Sequence, residues 1–340
     1  MKRLLLTLLI FGSAPLFAQN SYKNLVMEGG GVKGVAYGGA LIELENRGIL
    51  KDIIRVGGTS AGAIQACLLS VGYTAEEISK ITNETPIESF NDGGFITKKT
   101  QSLFKEYGWY QGETFLETLR RLIGERTGNP DLTFADLHKL AASYPYRDLY
   151  VTGTNLTKQK LEVFSYETYP NMRVCDAVRV SMSIPLYFKA LWINQEGKVF
   201  EKPTPEDACS LFVDGGMLMN YPIAIFDNKK YTEDPTKNEY VFNNETIGLR
   251  LERCEQIDQE IQLKEGPAPF EIKDFESYMM ALMNVTGMYI CPPKPEDTKR
   301  TIFINDAEMN ARIRKIPEEE KQKMMLLGQQ GAVEFFLRNK

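Results

Sequence analysis

Two strand-like runs, residues 24–27 and 53–57, each break into a glycine-rich turn that opens a helix. The first turn is Gly29-Gly30-Gly31-Val32-Lys33-Gly34, and the second is Gly58-Thr59-Ser60-Ala61-Gly62. A strand that feeds a helix and returns to a strand needs a crossover, so neighbouring strands run parallel and helices cover the sheet. The alternation continues. Residues 34–46, 61–71, 114–126 and 174–182 read as helices, and 148–155, 161–165 and 211–213 as strands. After a polar loop at 229–245, a helix at 275–289, a strand at 301–304 and a Pro-initiated helix at 317–337 follow. The expected fold class is α/β, with a mainly parallel sheet. One strand at 301–304 has no partner nearby, so residues 227–340 are expected to complete the sheet of residues 23–226.

The N-terminus reads differently. Lys2 and Arg3 precede an apolar run at 4–11 and then small residues, the order of a secretory signal peptide over 1–18. That run is too short to span a bilayer. Export to the periplasm or medium is the expected location; an uncleaved chain would instead be cytosolic or delivered into another cell. Loss of Lys2 and Arg3 takes the formal charge from −5 to −7, and the remaining basic residues are dispersed, so nucleic acid is not the expected partner. Five cysteines, Cys67, Cys175, Cys209, Cys254 and Cys291, are widely spaced and form no CxxC or Cys/His cluster. No metal site is expected. An odd count leaves at least one thiol free in an oxidising compartment, and Cys67, in the apolar stretch 63–71, reads as a buried inert thiol.

The first glycine turn satisfies G-x-G-x-x-G, but a dinucleotide site needs an acid at the end of the next strand, and Val56-Gly57-Gly58-Thr59-Ser60 carries none. It is not a P-loop either, because Gly34 follows Lys33 where Ser or Thr is required. What remains is a set of backbone N–H groups at a helix start, suited to an oxyanion or a phosphate. The second turn is G-x-S-x-G in its strand–turn–helix setting, the arrangement that exposes a nucleophile, here Ser60.

A serine nucleophile needs a base, and the chain holds one histidine, His138, beside Lys139 among helix-forming residues. It does not fall late in the chain, after the acid, as a hydrolase triad of this type requires. A carboxylate acting directly on Ser60 is the alternative. Asp214, ending the apolar run 211–213 before Gly215 and Gly216, is the best candidate, although an Asp in that position also starts ordinary turns.

Residues 28–34, 58–62 and 214–216 together resemble the patatin-like phospholipases, whose glycine loop, G-x-S-x-G elbow and D-G-G motif they reproduce. Residues 108–112, 133–137, 180–185 and 220–222 match similar stretches of that family, and the resemblance runs over 23–226 and more faintly over 301–336. It implies a three-layer α/β/α sandwich without metal or organic cofactor. Ser60 would attack an acyl ester and Asp214 would take its proton. Gly29, Gly30 and Gly31, with Gly34, would form the oxyanion hole, supported by Gly58, Gly62, Gly215 and Gly216. Lys33 would brace the loop or meet a head group, or it is simply a solvated charge. The implied partners are phospholipid, lysophospholipid or other lipid esters, with possible peripheral membrane contact. An acyltransferase or broad esterase would use the same residues, and a non-catalytic lipid- or partner-binding protein would keep only the fold. Met279, Met280, Met283 and Met288, beside Tyr278 and Tyr289, form either core or a flexible apolar wall. Phe104, Tyr107, Trp109 and Tyr110 either pack inside or touch a membrane interface.

Overall fold

The computed structural model describes residues 22–93, 103–232, 234–273, 275–309 and 312–339. The signal-peptide segment lies outside the described residues, as do the side chains of Met279, Met280 and Met283.

Strands β1 (Asn24–Met27), β2 (Arg55–Gly58), β3 (Gly108–Tyr110), β4 (Asp148–Asn155), β5 (Lys160–Phe164), β6 (Leu186–Phe188), β7 (Leu191–Ile193), β8 (Val199–Phe200), β9 (Ser210–Asp214), β10 (Thr246–Glu252) and β11 (Thr301–Asn305) alternate with helices. These helices are α1 (Ala36–Asn46), α2 (Ala61–Ser70), α3 (Ala75–Glu84), α4 (Glu113–Thr127), α5 (Phe134–Leu140), α6 (Val174–Ser181), α7 (Cys254–Ile261), α8 (Phe275–Ile290) and α9 (Glu318–Arg338). The main sheet runs β11-β10-β1-β2-β4-β9-β7-β8, with β5 also on β4. From β11 to β4 every pairing is parallel, whereas β5, β9, β7 and β8 join antiparallel. β3 and β6 form a separate parallel pair.

All four residues of β1 are buried, as befits a central strand covered on both faces. Leu25 and Met27 enter the main core with α1, α2, α6 and α9, while Val26 points the other way, onto Tyr150, Ile223 and Phe226. Helices therefore cover both sides. On the second face α7 and α8 are held through Arg250 of β10, whose guanidinium reaches Glu260 at 2.5 Å and the Met288 sulfur at 3.8 Å. On the first face, α1 and α9 meet backbone to backbone: a Cβ on Gly328 would lie 1.9 Å from the Ala36 carbonyl oxygen.

The helices expected at 34–46 and 317–337 start two residues and one residue later than expected, the first because residues 31–35 form a tight 3-10 turn. Several elements were not expected, among them β3, β6, β7, β8 and α7, and two bear on the site and the core. β10 is absent from the periodicity reading because Arg250 sits in the middle of its apolar residues, and it is the strand that β11 pairs with. α3 was also missed, although Thr74 and Glu77 form a reciprocal capping box.

Candidate active site

Register places the site. Met27, Gly58 and Val151 lie abreast on β1, β2 and β4, and two residues beyond Val151, Gly153 faces Asp214 of β9. The two glycine turns and the end of β9 thus converge at one edge of the sheet, where strand ends open a crevice.

The elbow is dictated by close approach. A Cβ on Gly62 would stand 2.2 Å from the Met27 carbonyl oxygen, and one on Gly58 2.4 Å from the Gly62 carbonyl carbon. Only glycine fits at either place. Between them Ser60 takes φ 51° and ψ −119°, the left-handed side of the map, at the start of α2. Its N–H donates to the Ser181 hydroxyl at 2.9 Å, and Thr59 is held by the Thr152 hydroxyl at 2.6 Å and the Met219 carbonyl at 3.1 Å. Strain that persists only because its surroundings enforce it belongs to a functional position.

Asp214 is buried at the end of β9. Its N–H donates to the Ser183 carbonyl at 3.0 Å, its carbonyl accepts the Thr154 hydroxyl at 2.9 Å, and its Oδ1 accepts the Gly216 N–H at 2.7 Å. Burial pushes its carboxyl up to about 7, opposed by the Gly216 N–H and by the neighbouring Ser60 hydroxyl. Gly215 lies against Thr152, where a Cβ would come within 2.2 Å of the hydroxyl.

The glycine loop corrects one expectation. The Gly29 N–H donates to the Asn220 carbonyl at 3.0 Å and so is not directed at the site. Gly34 packs on Ala61, its added Cβ 3.0 Å away, and serves helix approach. Among the described residues, the N–H groups of Gly30 and Gly31 meet no protein acceptor, as expected at the first turn of a helix. Those two are the donors available to an oxyanion. Lys33 is not a solvated charge: it forms an ion pair with Asp306, their side chains 13% and 2% exposed, and so ties the loop to the residue after β11.

Asn220 is the clearest residue that motif reasoning did not single out. Its Nδ2 donates to the Gly29 carbonyl at 2.9 Å and to Glu28 Oε1 at 3.3 Å, while its carbonyl receives the Gly29 N–H. The match at 220–222 was the available signal. Glu28 is itself buried, accepts the Leu251 N–H at 2.9 Å and lies 3.7 Å from Arg250 Nε. Burial drives its carboxyl upward against the pull of that guanidinium.

His138 is remote. Its Nδ1 lies 2.7 Å from Asp148 at the start of β4, and its ring stacks on Tyr166 at 3.6 Å. All five cysteines are unpaired, and Cys67 is buried.

Ser60 lies where two cavities meet. The larger, about 730 Å³, is lined by Asp214, Gly29–Gly31, Asn220, Arg250, Arg253 and residues of α8. The smaller, about 120 Å³, is an apolar slot along α2 lined by Ile64, Leu68, Ile81, Phe115, Leu119 and Met182.

Comparison with known proteins agrees with this geometry. The model of the Patatin family, patatin-like phospholipase, matches residues 25–227. Protein R571 of Acanthamoeba polyphaga mimivirus is 30% identical over 261 residues, covering 71% of this chain and 80% of the relative. "Probable lipid hydrolase 463L" of Invertebrate iridescent virus 6 is 30% identical over 224 residues, 62% of this chain and 66% of the relative. Among solved structures, VipD from Legionella pneumophila shares the fold with a TM-score of 0.58 at 18% identity, covering 94% of this chain and 67% of its own. ExoU of Pseudomonas aeruginosa, in complex with SpcU, gives a TM-score of 0.51 at 21% identity, and this chain covers 94% of itself and 52% of that structure. The chain belongs to the patatin-like phospholipase family.

Proposed function

We propose that the chain is a lipid acyl hydrolase that cleaves carboxylic esters of phospholipids, lysophospholipids or related lipids with Ser60 and Asp214. The observation that carries this reading is a serine on a left-handed turn that lines the same cavity as a buried carboxyl, whose basicity burial raises to about 7. An ordinary carboxylate is a poor proton acceptor at neutral pH, and burial corrects that. Ser60 Oγ attacks the ester carbonyl carbon while its proton passes to Asp214. The tetrahedral oxyanion receives the N–H groups of Gly30 and Gly31. Collapse expels the alcohol, which takes the proton from Asp214, and leaves an acyl-serine. Water gives a proton to Asp214 and attacks the acyl carbon; collapse releases the fatty acid as Asp214 returns that proton to Ser60 Oγ.

The slot supports the lipid part of the reading. It begins at Ser60, runs beside α2 and presents apolar side chains, the lining that an acyl chain requires. Head and alcohol groups then face the larger cavity. We also propose export by cleavage near Ala18, tested by the mass of the mature protein, with a start at or near Gln19 expected and an intact Met1 contrary to it.

Ser60→Ala and Asp214→Asn are each expected to lower hydrolysis of a soluble ester by about 10³-fold or more with Tm little changed, while His138→Ala keeps near wild-type rate. A folded but inactive His138→Ala protein would refute the dyad. Asp214 acts as base only when ionised. The profile of kcat/KM against pH should therefore rise through about 7 and level off above it; a rising limb near 4 would contradict a buried base. Ile64→Trp, one turn beyond Ser60, is expected to cut hydrolysis of long-chain esters by about 10-fold or more relative to butyrate esters; an equal loss on both would remove the slot from chain recognition.

A further inference from the structure

The mouth of the larger cavity carries an unusual concentration of exposed apolar groups. On one rim, Tyr278, Leu282 and Val285 of α8 line the cavity and remain 46%, 42% and 41% exposed, and Tyr289 continues the stripe at 74%. The spacing of four, three and four residues keeps them on one helix face. On a second rim, Ile184 and Pro185 line the cavity, and the next residue, Leu186, is 64% exposed. Leu186 pairs with Gly108 in the β3–β6 ladder, which brings Tyr107 and Trp109 beside it, both exposed.

Backbone conformation sets this second rim apart. Leu186 has φ 66° and Tyr107 φ 65°, so two bulky residues occupy the left-handed region while their side chains stay 64% and 46% exposed. Backbone strain held in order to present a leucine and a tyrosine to solvent implies an occupant for that surface. The cavity decides which. Ser60 lines it, and a second protein seated on both rims would cover the approach from those apolar residues to that serine. A bilayer seated there would instead deliver its own ester groups into the mouth, and Tyr and Trp are the side chains suited to a boundary that is apolar on one side and wet on the other.

We propose that the two rims form a lipid-docking surface that seats the cavity mouth on a bilayer, a proposal that rests on the lipid-ester reading above. With a formal charge of −5, or −7 after loss of Lys2 and Arg3, docking works through apolar contact, so neutral phosphatidylcholine vesicles suffice and added salt does not release the protein. No described helix is long and apolar enough to cross a membrane, in keeping with contact from one side.

The test uses a variant that spares the cavity lining: Trp109→Ser with Leu186→Asn, which tolerates the left-handed backbone, and Tyr289→Ser. Co-sedimentation of Ser60→Ala protein with phosphatidylcholine vesicles is expected, and the triple substitution in that background should weaken it by about 10-fold or more. In the Ser60 background, the triple variant should hydrolyse a soluble butyrate ester at the unsubstituted rate and lose activity on vesicles. Failure of the Ser60→Ala protein to sediment, undiminished sedimentation of the triple variant, or a stable dimer that the triple substitution dissociates would each overturn the proposal. Absence of butyrate hydrolysis by the unsubstituted protein would instead count against the hydrolase reading, since vesicle binding is read on inactive protein.

Discussion

The structure turns on the contact between Gly62 at the start of α2 and the Met27 carbonyl at the end of β1. With no room for even a Cβ there, helix and strand approach until the residue between Gly58 and Gly62 is forced into a conformation that L-residues avoid. That residue is Ser60. Its hydroxyl is thereby lifted to the level where β9 ends, and the register of β1, β2 and β4 brings Asp214 to the same height. The position of Ser60 is thus a consequence of backbone packing, with the surrounding sheet supplying the rigidity that the strain requires.

Around this contact, long-range hydrogen bonds fix what the glycines leave loose. Ser181 holds the Ser60 amide, Ser183 holds the Asp214 amide, and Asn220 grips both ends of the Gly29 peptide region. Lys33 and Asp306 extend the bracing to the end of β11, so the last part of the chain contributes to the geometry of a loop near its beginning. The stretches 180–185 and 220–222 thereby acquire physical meaning: their serines and asparagine are acceptors and donors for the reacting turns. The stretch 108–112 fits the same scheme, since Arg179 donates to Ser183 and to the Gln111 carbonyl, and Gly112 leaves space for its guanidinium.

Electrostatics follows from the same packing. Asp214 is buried with hydrogen bonds as its opposing influences, and that leaves it more basic than a surface aspartate. His138, the residue that a conventional triad would have recruited, is committed to Asp148 and Tyr166 at the start of β4, the other end of that strand from the site.

Much of this was legible in the order of residues. The strands at 24–27 and 148–155 coincide with the observed ones, because fully buried parallel strands and β-branched runs carry strong local signals. The two glycine turns, Ser60 and Asp214 were legible because each motif states a local steric demand. β10 was not, since a buried arginine within it interrupts the apolar pattern, and its main partners Glu28 and Glu260 lie outside that strand. Which glycine amides stay free was not legible either: Gly29, Gly30 and Gly31 are alike in sequence, and only the fold brings the Asn220 carbonyl onto the first of them. The sequence by itself determined the fold class, the elbow and the absence of a suitably placed histidine, because those depend on local sterics and composition. The tertiary structure alone decided the free donors, the bracing of Lys33, the apolar slot and the exposed rims of the mouth, because each arises from groups far apart in the chain meeting across the sheet.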